Sequence, residues 1–575
     1  MNLYDLDKYN NYADINLVAN SSITDALKLI DHQPLGYASE MGLNPESIKG
    51  YADTELNLKF ELKQDLEPEE VNVLVKSELK DVEIPDIINS QPLKSDQLSL
   101  EVNNQGLHVT GRAELEGIPL DLIWNESFTD KNYKSKYKLA FRFDENFRKK
   151  MGIDSEVLKP PYVSGYADAE ADVTIFKNNK TQVDVTAALQ NTALDFSFLG
   201  LTKAVGEKAS VRAKINLNGS QIGSIPSLSF NKKDFSLTGA IAFGKNNSVK
   251  TVDITSIKAP KTDARAKIEF IAGKKPKVKI NISGNSYNLS ELFDRKEKAS
   301  ATRASSASAE DELEKISDTD IFIAVNRLWT SPVISIRNFA GNAVLRNGVG
   351  FHEVHMVGNF GTDQKSNLKF DYVPRPQGEY LLTVESDNAG STLKFLRVYD
   401  DMSGGRLVIN AKRNKNKEFI GHARIRKFSI HNTPVFAKLL TVASLSGMLN
   451  LLTGDGMAFS HLDAPFEYKN RVLSVKEAKA FGNVMGITAN GTYNRSNERL
   501  NIKGVIAPAY SINSFIGKIP IVGNLLSSKD GTVFAANYSI TGSLSDPDIS
   551  FNPLSALSPG SLKDLVSSLF GSKDE

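Results

Sequence analysis

Apolar and polar residues alternate along most of the chain. Leu56, Leu58 and Phe60 are separated by Asn57 and Lys59, and Ala171, Val173 and Ile175 repeat the pattern. Val211, Ala213, Ile215 and Leu217 do so again, as do Val278, Ile280 and Ile282, then Leu368, Phe370 and Tyr372. A period of two places apolar side chains on one face of a strand and polar ones on the other. Gly, Asn, Asp and Lys turn residues return about every 8–12 residues, the spacing of antiparallel strands. The pattern therefore predicts an all-β body of roughly thirty to forty strands.

The alternation also repeats on a longer scale. Gly50-Tyr51-Ala52-Asp53 recurs as Gly165-Tyr166-Ala167-Asp168, each copy opening a strand. Leu107, Val109, Thr110, Gly111, Ala113 and Leu115 match Phe235, Leu237, Thr238, Gly239, Ile241 and Phe243. Weaker echoes run from Gly348 to Tyr372 and from Val472 to Tyr493. Repeated β units predict a stacked, elongated architecture.

Three segments leave the period of two. Ser21 to Ile30 has helical spacing after a Ser/Thr/Asp-rich start. Residues 435–452 predict an apolar helix, with Leu439 to Leu452 free of charge and too short to span a bilayer. Residues 561–570 follow Pro559-Gly560 and carry Leu562, Leu565, Val566, Leu569 and Phe570 on one helical side, a candidate surface for a partner or membrane. Lys296 to Glu314, rich in Ala, Ser, Lys and Glu, reads as a flexible linker or weak exposed helix. It divides the chain into a repetitive β segment over 1–295 and a C-terminal β region over 315–575. Before it, Lys275, Lys277 and Lys279 read as a solvated strand face.

Composition removes several functions. The 575 residues carry 69 Lys+Arg against 68 Asp+Glu, so no global field attracts nucleic acid. With no Cys, disulfides, thiolate metal sites and thiol nucleophiles are excluded. No run of about 18 apolar residues reads as a membrane helix, and the N-terminus does not read as a signal peptide.

Chemical motifs are equally sparse. His352-Glu353-Val354-His355 approaches a zinc spacing, but on a strand the two rings fall on opposite faces. Gly239 to Asn246 resembles a phosphate loop, yet Asn246 stands where Ser or Thr would hold magnesium and the interior reads as a strand. No nucleophile elbow occurs, and Trp124 and Trp329 read as packing residues. The expectation is a protein without catalytic residues, metal or cofactor.

The C-terminal third resembles the AsmA-like proteins of the Gram-negative envelope, in particular their YhdP-type branch. An ordered set of residues carries the resemblance: Ser386-Asp387-Asn388-Ala389-Gly390, Leu393, Phe395-Leu396, Tyr399-Asp400 and Gly404-Gly405-Arg406-Leu407. Asn432-Thr433-Pro434, Ala464-Pro465-Phe466, Ile519-Pro520, Gly523, Gly542, Asp546-Pro547, Asn552-Pro553-Leu554 and Ser558-Pro559-Gly560 follow. Pro34-Leu35-Gly36-Tyr37, Gly50-Tyr51-Ala52 and the stretch from Gly111 through Gly117-Ile118-Pro119 to Trp124 extend it more loosely over the N-terminal half.

The resemblance implies an elongated, strongly curved antiparallel sheet forming an apolar groove, with a few short amphipathic helices. It implies phospholipid carriage between inner and outer membranes from a periplasmic, inner-membrane-associated position. Family members begin with a membrane anchor that this chain does not display, so a separately encoded or missing N-terminal anchor is expected. An acyl chain suits an apolar face: at about 0.8 kcal/mol per methylene, sixteen carbons gain roughly 13 kcal/mol at most. The attraction is non-directional and permits sliding. Leu368, Phe370, Leu500 and Ile502 are the expected lipid contacts on strands. Phe436, Leu439, Leu440, Leu445, Leu449 and Leu452 are those of the apolar helix, which would plug or gate the groove. The alternative function is a scaffold for outer-membrane biogenesis that conducts no lipid.

Overall fold

The structure is a computed structural model. It describes residues 1–4, 11–32, 38, 44–67, 70–88, 91–151, 153, 158–178, 180–196, 200–219, 221–290, 317–361, 366–431, 456–483, 485–508, 536–544 and 546–553. The fold is all-β and mostly antiparallel. The chain divides into two compact units: Met1–Pro260 with Arg265–Phe270, and Lys261–Ala264 with Ile271–Glu575.

In the first unit each long strand pairs antiparallel with the next. Tyr12–Ser22 pairs with Lys49–Glu61, which pairs with Asn72–Ile88. Gln91–Asn103, Gly106–Leu115, Ile118–Ser127 and Tyr133–Phe143 follow in order. Ala167–Phe176, Lys180–Ala188, Ala209–Asn218, Gln221–Lys232, Phe235–Phe243 and Val249–Ala259 continue it. Tight turns make this meander possible. Between Leu115 and Ile118, Glu116 and Gly117 both take positive φ, 52° and 68°, the mirror-image turn whose twist matches paired strands. Val163–Gly165, Thr192–Phe196 and Leu201–Lys203 make a separate small sheet.

The helix expected from Ser21 to Ile30 runs from Ile23 to Asp31. Ser22 caps it, its Oγ accepting the Asp25 amide at 3.0 Å, and Asp25 places negative charge in the first turn. The short helix Glu145–Lys150 was not visible in the pattern. Its cap, Asp144, accepts the Phe147 amide at 2.8 Å.

The two Gly-Tyr-Ala-Asp copies share several local features. Gly50 and Gly165 both have positive φ, 128° and 89°. Ala52 and Ala167 are buried. Each Asp faces a cation on the adjacent strand: Asp53 lies 2.7 Å from Lys80, and Asp168 lies 3.9 Å from Arg142. In both copies a positive-φ glycine is followed two residues later by a buried alanine, but Gly50 lies inside Lys49–Glu61 whereas Gly165 ends Val163–Gly165 and Ala167 opens the next strand.

The second unit continues the antiparallel rule after one exception. Lys277–Asn288 and Asp318–Trp329 run parallel, Lys277 opposite Asp318 and Asn288 opposite Trp329. The stretch 296–314 between them lies outside the described residues, as do 435–452 and 561–570. From Asp318–Trp329 the strands proceed antiparallel through Ser335–Arg346, Gly350–Phe360, Ser366–Arg375, Glu379–Ser386, Met402–Arg413 and Phe419–Ile430. Met457–Lys469, Val472–Gly482, Met485–Asn494, Arg499–Pro508, Ala536–Ser543 and Pro547–Pro553 follow among the described residues. Lys277 of the basic stretch is ion-paired with Asp320, which also lies 3.0 Å from Arg346.

Candidate functional site

Register builds a continuous apolar surface on one face of the second unit. Phe370 stands opposite Val384, Val384 opposite Ile409, Ile409 opposite Ala423 and Ala423 opposite Ala464. Beside this row runs Tyr372, Leu382, Ala411, Gly421, Phe466, Val475, Gly491, Ile502, Ile540 and Ile549. On the other side run Leu407, Ile425, Leu462, Ala480, Ile487 and Ile506. Directly opposed side chains sit about 4.5–5.5 Å apart at Cβ, so each row is a chain of contacts. Bulges fall between Asp463 and Phe466 and between Val475 and Ala478, and the rows keep their face across them.

The strand candidates join on this face. Leu368, Phe370, Leu500 and Ile502, remote in sequence, all point to it. They differ in access. Leu368 is only 1% exposed and Leu500 8%, so both are packing residues of the wall. Phe370 and Ile502 are half-buried and offer accessible surface. The helix candidates Phe436, Leu439, Leu440, Leu445, Leu449 and Leu452, and the C-terminal Leu562, Leu565, Val566, Leu569 and Phe570, lie outside the described residues.

The hairpin end of this face is aromatic. Tyr380, Arg413, Phe419, Tyr468, Leu473, Tyr493 and Leu500 follow one another across the strands. Tyr372 stacks on Tyr380, its hydroxyl 3.4 Å from Arg413 Nη1. The His352 ring meets Tyr380 edge-on. The opposite end is closed by a short helix, Ala389–Phe395. Asn388 caps it by accepting the Ser391 amide at 2.9 Å. Phe395 packs against Phe339 and Phe360 at centroid distances of 6.5 and 5.9 Å. Thr330 Oγ1 donates to the Phe395 carbonyl at 2.7 Å, and Arg397 Nε donates to the Thr330 carbonyl at 2.9 Å. These contacts fix the helix over the end of the apolar face.

The first unit has an apolar face of the same construction. Ala52, Leu79, Leu98, Gly111, Leu122, Leu139, Ala171, Val185, Ala213, Leu228, Gly239 and Ile254 form one row. The repeated Gly111 and Gly239 occupy this row, where a Cβ would approach a neighbouring strand carbonyl to 2.8 and 2.5 Å. Trp124 stacks on Tyr137 at 5.6 Å and donates its indole N–H to Glu126. Burial pushes the Tyr137 phenol up to about 12.

The polar side of the second unit is a network of paired charges. His355 lies 2.6 Å from Asp371 and 2.7 Å from Glu353. Those hydrogen bonds, Asp371 first, raise the His355 pKa against the opposing effect of burial. His352 and His355 therefore occupy opposite faces, as strand geometry requires. An open depression of about 480 Å³ lies among Asn410, His422, Arg424, Glu467 and Lys476. Its charges are mutually satisfied: Asp463 lies within 3.4 Å of both His422 and Arg424, and Glu467 lies 2.9 Å from Lys476. Gly239 to Phe243 is strand, so the phosphate-loop likeness has no loop behind it. Among the described residues, no three His, Asp or Glu groups converge as a metal site, and no helix is long and apolar enough to cross a membrane.

Sequence reasoning found the face but missed the aromatic end row and the capping helix. Alternation fixes which side a residue points to; only register shows which strands bring Tyr372, Tyr380 and Phe419 together. The helix left one trace, the Asn388 cap before Leu393, Phe395 and Leu396.

Among protein-family models, the one described as YhdP protein matches residues 218–549. No curated protein and no solved structure matches the chain.

Proposed function

The chain belongs to the YhdP family, and from that membership we propose that it is a non-enzymatic lipid carrier of the cell envelope. The acyl chains of phospholipid would lie along its apolar sheet faces, moving between inner and outer membranes through the periplasm. The observation that carries the reading is the unbroken row from Tyr372 to Ile549, continuous across every strand between them. Contiguous apolar surface in water calls for a ligand or partner. From Leu382 to Ile549 the row has no polar side chain and offers no directional contact that would hold one acyl position above another, which suits movement along the face. At the aromatic end, tyrosine hydroxyls, Arg413 and His352 supply polar groups beside an apolar wall, the combination an amphipathic molecule needs.

A photoreactive amino acid placed at Phe370 or Ile502 tests this. Crosslinking to phospholipid from those positions, and not from Lys369 or Asn501 on the opposite face, supports carriage. Labelling confined to Lys369 and Asn501 overturns it and favours a scaffold that conducts no lipid.

A further inference from the structure

One row on the apolar face of the first unit carries a buried charge. Register sets Val75 opposite Val102, Val102 opposite Leu107, Leu107 opposite Glu126, Glu126 opposite Ser135 and Ser135 opposite Ile175. The row continues to Leu17 at one end and to Ile222 at the other. Glu126 is its single charged residue, and it is only 7% exposed. Burying a carboxylate without a counter-charge is costly, so an isolated one calls for a cation.

The chain itself does little to offset that cost. Trp124 donates its indole N–H to Glu126 Oε2 at 3.1 Å. Ser135, directly opposite, hydrogen-bonds the Tyr137 phenol instead. Among the described residues no Lys, Arg or His pairs with Glu126. Lys136 sits over the Tyr133 ring at 3.8 Å, and His108 lies 2.7 Å from Asn125. A carboxylate offers about four acceptor sites; one neutral donor leaves most of them, and the charge, unanswered. The flanking walls also suit a cation. The Trp124 and Tyr137 rings stack at 5.6 Å and are both half-buried. Burial first, and the Glu126 charge second, raise the Tyr137 phenol, so that ring stays neutral beside the carboxylate. Neutral aromatic faces attract cations through their quadrupole.

We propose that Glu126 receives the primary ammonium of a lipid headgroup, with Trp124 and Tyr137 as its walls. Carboxylate lone pairs call for N–H donors, which a primary ammonium has and a quaternary one lacks. The rest of the row is apolar or uncharged, so it matches a molecule whose cation is joined to an apolar body. The assignment rests on the lipid reading and adds headgroup selectivity to it.

The test uses the full chain labelled with fluorotryptophan, whose two tryptophans are Trp124 and Trp329. Fluorine NMR then follows the indole that touches Glu126, with Trp329 as the internal reference. Dihexanoylphosphatidylethanolamine is expected to shift the Trp124 signal and leave Trp329 unmoved. Its half-saturation should lie at least about tenfold below those of the choline and glycerol analogues. Glu126→Gln keeps an acceptor for the indole and removes the charge. It is expected to bind the three lipids alike, with amide protection across Ile118–Ser127 reporting an intact fold. The wild-type comparison stands without the variant. Equal half-saturation for the three lipids overturns the proposal, and so does a Trp124 signal that no lipid moves. Ethanolamine acting at the same concentration as the lipid overturns it in favour of a free amine. A wild-type chain that carries no lipid at all removes the lipid reading and this site together. Equal response to the three headgroups from a lipid-carrying chain removes the ammonium site alone.

Discussion

Tyr372 and Tyr380 lie on neighbouring strands with ring centroids 4.9 Å apart and planes within 5°. Both rings are buried on the apolar face, and the Phe419 ring continues from Tyr372 at 6.2 Å. The stack sits where the hairpin ends, so it holds two strands in register while filling the face. Tyr380→Ala is expected to cost about 3–5 kcal/mol, the range for truncating a buried aromatic. Tyr372→Phe keeps the stack, removes the hydroxyl that lies 3.4 Å from Arg413 Nη1, and is expected to cost about 1 kcal/mol. Urea unfolding of the two variants measures the difference; equal losses would show that the hydroxyl, not the stack, matters.

The capping helix depends on a close backbone approach. A Cβ on Gly390 would stand 2.2 Å from the Met402 carbonyl oxygen, with no flexible side chain to yield. Gly390→Ala is expected to destabilise by about 1–3 kcal/mol, the usual cost of overpacking, and to raise amide exchange across Ala389–Phe395. Wild-type exchange in that helix would contradict this placement.

The repeated glycines carry a parallel prediction. At Gly50 a Cβ would meet the Lys80 carbonyl oxygen at 2.6 Å, and at Gly165 the Asn191 carbonyl oxygen at 2.2 Å, both with positive φ. Gly50→Ala and Gly165→Ala should each destabilise by about 1–3 kcal/mol. Thermal or urea denaturation checks this, and a neutral result at either position would break the equivalence of the two copies.

His355 gives a pH dependence with a definite sign. Its folded pKa is raised from 6.5 by Asp371 and Glu353. Its contribution to stability is therefore complete below pH 6.5 and lost as pH rises through the folded value. Desolvation at Asp371 is outweighed by hydrogen bonds from His355 and Lys369, which lower that carboxyl. Wild type should lose stability relative to His355→Gln as pH is raised from about 6 to 8. The pair is partly solvent-exposed, so the effect is small and weakened by salt. A pH-independent difference would sink this assignment.

Much of the fold was legible because a period of two is a strong signal when one face is apolar. Leu56-Leu58-Phe60 and Leu368-Phe370-Tyr372 both reported their face correctly. Ser22 and Asp25 likewise marked the first helix through capping chemistry. What could not be read was long-range pairing. Nothing in the local pattern says that Lys277–Asn288 and Asp318–Trp329 run side by side in parallel, because parallel pairing depends on a crossover. Likewise, Leu368 and Phe370 look alike in sequence, yet one is enclosed and the other accessible. The helix Ala389–Phe395 escaped notice because its apolar positions span too short a run to show helical periodicity.

The most direct test of the lipid reading is mass spectrometry of lipid extracted from the chain purified without detergent. Carriage along the apolar faces predicts phospholipid at one or more molecules per chain, reduced in a Phe370→Lys, Ile502→Lys variant that remains folded. A folded, lipid-free wild-type chain would contradict it and bring the scaffold reading forward.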